Sequence, residues 1–205
     1  METEDPIVYI VDDDEAIRKS LARLLLSAGF DVVSYSDAHQ FLDNASNTAT
    51  GCLILDIRLP GVSGLELQSL LAQNGFSLPI VFITGHGDIP MSVSAMKAGA
   101  IDFLTKPFDD VELINAVEVA IQHHARIQQE EAEMIELRAR YDLLTRREKE
   151  VFSHVVTGRL NKQIAFDLDV AEKTIKVHRA RVMEKMEART FADLVRMGEQ
   201  LKPLS

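Results

Sequence analysis

The chain has 205 residues, 46% of them hydrophobic, and a formal net charge of −10. That length can bury a real core as one large domain or two small ones. No run reaches the roughly 18 to 20 apolar residues of a membrane span. The acidic start METEDP also lacks the basic flank and apolar core of a signal peptide, so a soluble, cytoplasmic protein with no membrane partner is expected.

The first 120 residues alternate short β-branched runs with amphipathic stretches at helical spacing, the pattern of a parallel sheet covered by helices on both faces. Strands are predicted at 7–11, 31–35, 52–55, 79–84 and 100–105. Helices are predicted from Glu15 to Ser27, Ala38 to Ala45, Leu65 to Ala72 and Met91 to Ala98, with Gly29 and Gly99 closing the first and the last. The single cysteine, Cys52, lies in the apolar run CLILD, which excludes an intrachain disulfide and predicts a buried thiol.

From Val111 to Thr157 there is neither Gly nor Pro. Ile114, Val117 and Ile121 mark an apolar face that fades into HHARIQQEEAEMIELRAR, so a fifth helix is expected to run on into a connector. Ile127, Met134 and Tyr141 recur every seven residues with Leu137 and Leu144 interleaved, while Glu130 breaks the pattern; a coiled-coil contact and a solvated helical linker both fit. His123 and His124 are adjacent and so face different sides of a helix, which argues against a metal site.

Beyond the connector the pattern resets. Thr145 with Glu148 forms a capping box for a helix that stops at Gly158. Asn161 can cap a second helix to Leu168, a third is predicted from Glu172 to Met186, and Thr190 can cap a fourth to Gln200. Three segments follow: 1–122 carries −12, 123–142 carries −2 and 143–205 carries +4. An acidic head joined to a basic tail suggests two domains with different partners, the basic one facing nucleic acid.

In a doubly wound sheet the functional crevice lies beyond the carboxyl ends of the strands. Here those ends carry Asp12-Asp13-Asp14, Asp56, Thr84 and Lys106, the last followed by Pro107. Carboxylates this close repel by roughly 4 kcal/mol per pair at about 4 Å and an effective dielectric near 20, so they call for a cation. Hard oxygen ligands suit Mg²⁺, beside which Asp56 can act as a nucleophile toward phosphorus, with Lys106 offsetting charge and the Thr84 hydroxyl donating to a phosphoryl oxygen.

This ordered set resembles the receiver domains of response regulators: the acidic pair after the first strand, the Asp in LDIRLPGVSG, the Thr in ITGHGD and the Lys-Pro in FLTKPF. The resemblance implies a flavodoxin-like (βα)5 fold with Asp56 as phosphoacceptor. It further implies Mg²⁺ on Asp12, Asp13, Asp56 and the backbone carbonyl of Arg58, phosphoryl contacts from Thr84 and Lys106, and a cis Lys106-Pro107 bond. Phe103 matches the aromatic switch position, although a plain core role also fits, and His86 reads as an ordinary loop residue. A flavin binder of this fold would not face phosphate with three carboxylates. A phosphatase with an aspartyl intermediate would need a second Asp two residues after the nucleophile, where this chain has Arg58. The expectation is therefore a regulator that only dephosphorylates itself slowly, not an enzyme.

The stretch LTRREKEVFSHVVTGRLNKQIAFDLDVAEKTIKVHRARVMEKM resembles the LuxR-type (GerE) helix-turn-helix. By that resemblance Lys173, Thr174, Lys176 and Val177 are the base or near-base contacts, with Arg179 and Arg181 nearer phosphate. Ala171 departs from the usual Ser cap of the recognition helix, and Asp169 is a candidate substitute. In the family the last helix forms the DNA-bound dimer, which implies paired half-sites.

In this order the two segments resemble the NarL/FixJ family, and GHGDIPMSVSAMKAGAIDFLTKPF is particularly FixJ-like and StyR-like. The implied partners are a sensor histidine kinase, double-stranded DNA, RNA polymerase and, on phosphorylation, a second copy of the chain. A DNA binder whose receiver is not phosphorylated is the remaining alternative, disfavoured by the intact acidic pair with Thr84 and Lys106.

Overall fold

The computed structural model describes residues 5–44, 50–85 and 89–202. Two compact units divide the chain, 1–128 and 129–205. In the first, five strands alternate with helices: β1 (Ile7–Val11), α1 (Glu15–Ser27), β2 (Asp31–Tyr35), α2 (Ala38–Asn44), β3 (Gly51–Asp56), α3 (Gly64–Gln73), β4 (Ile80–Thr84), α4 (Ile89–Lys97), β5 (Asp102–Thr105) and α5 (Asp110–Asp142). The sheet is parallel throughout, in the order β2-β1-β3-β4-β5.

The period-two geometry of a strand explains the two cores. Tyr9, Val11, Leu53, Leu55 and Phe82 point to one face, where α2, α3 and α4 cover them through Phe41, Leu67, Leu71 and Ala95. Val8, Ile10, Cys52, Ile54, Val81 and Ile83 point to the other, against Leu21 and Leu25 of α1 and Leu113, Val117 and Ala120 of α5. The central strands β3 and β4 are buried along their full length, which is why they read as continuous apolar runs. Burial pushes the Cys52 thiol up to about 12, leaving it an inert core group.

Most predicted boundaries hold to within two residues. α4 begins at Ile89, ahead of the predicted Met91, because Pro90 lies in the first turn, where a missing N–H costs nothing. Gly29 (φ 91°) and Gly158 (φ 82°) take the left-handed conformation that ends α1 and the helix running to Val156. The predicted helix end at Ala45 and the loop residue His86 lie outside the described residues.

Helix α5 is continuous for 33 residues, as the absence of Gly and Pro predicts. Near its middle it is tied to the amino-terminal end of β3. The buried His124 places Nδ1 3.1 Å from both the amide and the carbonyl of Gly51, and Thr50 donates to Gln128 at 2.6 Å. Leu137 and Leu144 belong to the core of the second unit, and Met134 and Tyr141 pack against it half-buried.

The second unit adds α6 (Arg146–Val156), α7 (Asn161–Asp167), α8 (Glu172–Lys185) and α9 (Phe191–Gln200) around Val151, Phe152, Ile164, Ile175, Val182, Met186 and Leu194. The capping boxes at Thr145/Glu148 and Thr190/Asp193 form as expected. Two capping expectations are corrected. Leu160, not Asn161, is the N-cap of α7, and its amide is satisfied by Gln163 Oε1 at 2.9 Å. No side chain caps α8 at Ala171; Asp169 instead takes φ 51° past the end of α7.

An ion pair between the buried Glu148 and the half-buried Lys185 braces this unit. Glu148 accepts from Lys185 Nζ at 2.7 Å and from the Thr145 amide at 2.8 Å, and Lys185 also reaches the Leu143 carbonyl at 3.1 Å. The Lys185 hydrogen bond, helped by Thr145 and opposed by burial, holds the Glu148 carboxyl at about 2 against an ordinary 4.5. Because the folded value is depressed, the pair contributes full stability above pH 4.5 and loses it as pH falls toward 2. Hydrogen-exchange protection of the Ile175 and Val182 amides should therefore fall across that window in the wild type, and Glu148→Gln should remove this component while lowering protection at neutral pH.

Candidate functional site

The carboxyl ends of β1, β3, β4 and β5 meet at one edge of the sheet, and the predicted pocket residues converge there. Asp12 follows β1 and is fully buried; Asp13, next to it, is exposed. Asp14 does not join them, since its side chain caps α1 by accepting from the amides of Ala16 and Ile17. Asp56 ends β3 with 8% of its surface exposed, and Thr84 ends β4 fully buried. Carboxylate oxygens of Asp12, Asp13 and Asp56 all lie within 4.8 Å of one another.

Lys106 closes the pocket. Its Nζ donates to Asp12 Oδ2 at 2.7 Å and to Asp56 Oδ2 at 3.0 Å, bridging β1 and β3. Its backbone amide donates to the Thr84 carbonyl at 2.7 Å, and the Lys106-Pro107 bond is cis as expected. Burial by itself would lower the Lys106 pKa, but hydrogen bonds and charge from Asp12 and Asp56 together outweigh it and hold the ammonium above the usual lysine range.

Three carboxylates against one ammonium leave an excess of two negative charges, and the remaining oxygens form a hard, purely oxygen donor set. That set fits Mg²⁺, with Asp12, Asp13 and Asp56 as its side-chain holders. Arg58 keeps its side chain exposed while its amide donates to Asp56 Oδ1 at 3.1 Å, so its backbone lies against the same carboxylate. Phe103 in β5 is half-buried and packs on the core face that carries Tyr9 and Phe82.

Two contributors escaped the sequence reading. Arg18 on the first turns of α1 donates to the Asp12 carbonyl at 2.6 Å, clamping the backbone at the pocket floor. Gly64, at the start of α3, stands so close to the acceptor loop that a Cβ there would lie 2.4 Å from the Asp56 carbonyl oxygen and 2.9 Å from Ile57 Cα. Its presence at the end of LDIRLPGVSG was the available signal.

On α8, Ile175 and Val182 face the core, as does Met186 at its C-cap, while Lys173, Thr174, Lys176, Val177 and Arg181 are exposed. Three of these five, Lys173, Lys176 and Arg181, are basic. Arg179 differs: it is half-buried, its Nη1 donates to Asn161 Oδ1 at 2.8 Å, and its guanidinium lies 5.2 Å from the centre of the Phe191 ring.

The acidic-edged parallel sheet and the four-helix unit after it define a response regulator with a DNA-binding output. Residues 8–118 match the family model "Response regulator receiver domain", and residues 142–198 match "Bacterial regulatory proteins, luxR family". The chain is 46% identical to response regulator protein TmoT of Ectopseudomonas mendocina over 98% of this chain and 92% of that protein. It is 46% identical to transcriptional regulatory protein FixJ of Rhizobium meliloti over 95% of each. Among solved structures, response regulator StyR aligns with a TM-score of 0.86 at 46% identity, covering 96% of this chain and 99% of that one. The chain thus belongs to the two-component response regulators that couple a receiver domain to a LuxR-family DNA-binding domain.

The close approach of Gly64 yields a direct test. Gly64→Ala should cost about 1–3 kcal/mol in urea unfolding of the first unit and shift the amide resonances of Asp56 and Arg58. Wild-type stability with unchanged resonances would show that α3 does not constrain the acceptor loop.

Proposed function

We propose that a sensor histidine kinase phosphorylates Asp56 and that this modification promotes dimerisation and sequence-specific binding to promoter DNA, activating transcription. The observation that carries the proposal is the Lys106 ammonium bridging Asp12 and Asp56, with Asp13 beside them. An Asp56 oxygen attacks phosphorus as the bond to the donor imidazole nitrogen breaks and the departing ring takes up a proton from solvent, giving an acyl phosphate and a neutral histidine on the kinase. Mg²⁺, held by Asp12, Asp13, Asp56 and the Arg58 carbonyl, would offset charge on the transferred group. Lys106 turns from carboxylate to phosphoryl oxygen, and the Thr84 hydroxyl donates to another.

Once Thr84 follows the phosphoryl group, Phe103 turns inward and the face from Met91 to Phe103 is remodelled. The exposed Ile89, Val93 and Met96 on α4 supply apolar surface for a second copy. The phosphoryl group has to bind one conformer better than the other, since uniform stabilisation shifts no equilibrium. Paired recognition helices, with Lys173, Thr174, Lys176 and Val177 toward the bases and Arg181 toward phosphate, then read two half-sites, and RNA polymerase is the final partner. The exposed Arg58 side chain offers no carboxylate for hydrolytic turnover, which supports a regulator over a phosphatase. A cytoplasmic site of action is part of this reading; among the described residues no helix is long and apolar enough to cross a membrane.

Size-exclusion profiles and DNA affinity, measured with and without a phosphoryl mimic plus Mg²⁺, test the switch. Wild type should dimerise and gain affinity with the mimic and lose both with a chelator, while Asp56→Asn should respond to neither. An equal response from Asp56→Asn would refute the assignment. Affinity should also drop steeply with salt, with a slope of about −0.9 per phosphate contact.

A further inference from the structure

Arg179 carries an arrangement that DNA contact does not explain. With roughly 100° per residue, Lys173, Val177, Ala180, Arg181 and Glu184 share one exposed stripe of α8, and Arg179 lies about 160° around the helix from Val177 and about 60° beyond Lys176, where the exposed surface turns toward the core. Its neighbours on that side are Ile175 and Val182, both fully buried. From there the guanidinium reaches sideways to two other helices. It donates to Asn161 Oδ1 on the first residue of α7 and stacks over Phe191, the first residue of α9.

Asn161 is available for this because it does not cap α7: the amides of Gln163 and Ile164, which a cap at Asn161 would bind, donate instead to the Leu160 carbonyl at 2.9 and 3.0 Å. A planar guanidinium suits the double task, since its edge donates to the amide oxygen while its face stacks on an aromatic ring. Lysine could make either contact but not both in that geometry. The contacts link the starts of α7 and α9 to the middle of the helix that faces DNA.

We propose that Arg179 is a positioning residue for DNA recognition: it fixes the angle at which α8 presents its exposed stripe and makes no phosphate contact of its own. The inference rests on α8 being the DNA-facing helix, as proposed above. Specific binding depends on that angle, because bidentate contacts to base edges tolerate little misplacement, whereas non-specific binding depends on net charge along the backbone.

The test uses the full chain with the phosphoryl mimic and two probes: a duplex recovered by selection from a randomised pool, and a scrambled duplex of the same composition. Arg179→Met should lower the specific-to-scrambled affinity ratio about tenfold and leave the slope of log affinity against log salt unchanged. Asn161→Ala, which keeps the charge and removes only the acceptor, should lower the ratio in the same way, and the double variant should be no worse than either alone. Arg181→Met is the contrasting arm, expected to weaken both duplexes and reduce the salt slope by about one.

A salt slope reduced by about one in Arg179→Met would make Arg179 a phosphate contact and overturn the proposal. So would an unchanged ratio in Asn161→Ala, or an equal loss on both duplexes, which would mark a merely structural role. If Arg181→Met changes neither affinity nor slope, the reading of α8 as the DNA-facing helix fails, and the assignment of Arg179 fails with it.

Discussion

The first unit is organised around an electrostatic constraint at the sheet edge: carboxylates from β1 and β3 held within contact of a single ammonium from the end of β5. Asp12 is fully buried and Asp56 nearly so, and an unpaired charge in such a place costs several kcal/mol. Lys106 meets both, at 2.7 and 3.0 Å, and is itself stabilised as a cation by them. The pocket still carries more negative than positive charge. That imbalance makes it receptive to a divalent cation. The parallel sheet supplies the geometry, since only strands running the same way deliver their carboxyl ends to one edge.

The same helix that completes the receiver core also contributes to the core of the DNA-binding unit. Leu113, Val117 and Ala120 of α5 pack under the sheet, whereas Leu137 packs with Val151, Ile164 and Ile175, and Met134 and Tyr141 join it there. Between them, His124 and Gln128 hold α5 against the amino-terminal end of the strand that carries Asp56 at its other end. In the second unit the pair between the buried Glu148 and the half-buried Lys185 locks the beginning of α6 to the end of α8, so α8 is held by a charge pair as well as by apolar packing.

Much of this was legible in the sequence, and for identifiable reasons. Continuous apolar runs betray β3 and β4 because both faces are covered, and the pocket residues are conspicuous because they gather at the carboxyl ends of strands. The capping boxes at Thr145 and Thr190 are local, so spacing alone reveals them. What escaped depends on partners distant in the chain. Lys185 lies 37 residues from Glu148, and Gly51 lies 73 from His124, so neither contact leaves a periodic trace. Met134 and Tyr141 repeat at a heptad interval for a different cause, namely that one stripe of a long helix is buried under α6 and α9. Asn161 has the chemistry of a helix cap and stands one residue too far along, a boundary shift that pattern reasoning rarely resolves.

The central claim is that Asp56 is the group that takes up phosphorus. Incubation of the protein with a small acyl phosphate donor and Mg²⁺, reduction of the resulting acyl phosphate with borohydride and peptide mapping by mass spectrometry would locate the modified residue. The structure predicts homoserine at position 56 and nowhere else, with none formed when Lys106 is replaced by methionine or the metal is chelated. Modification spread over Asp12, Asp13 and other carboxylates, or its absence from position 56, would contradict the account.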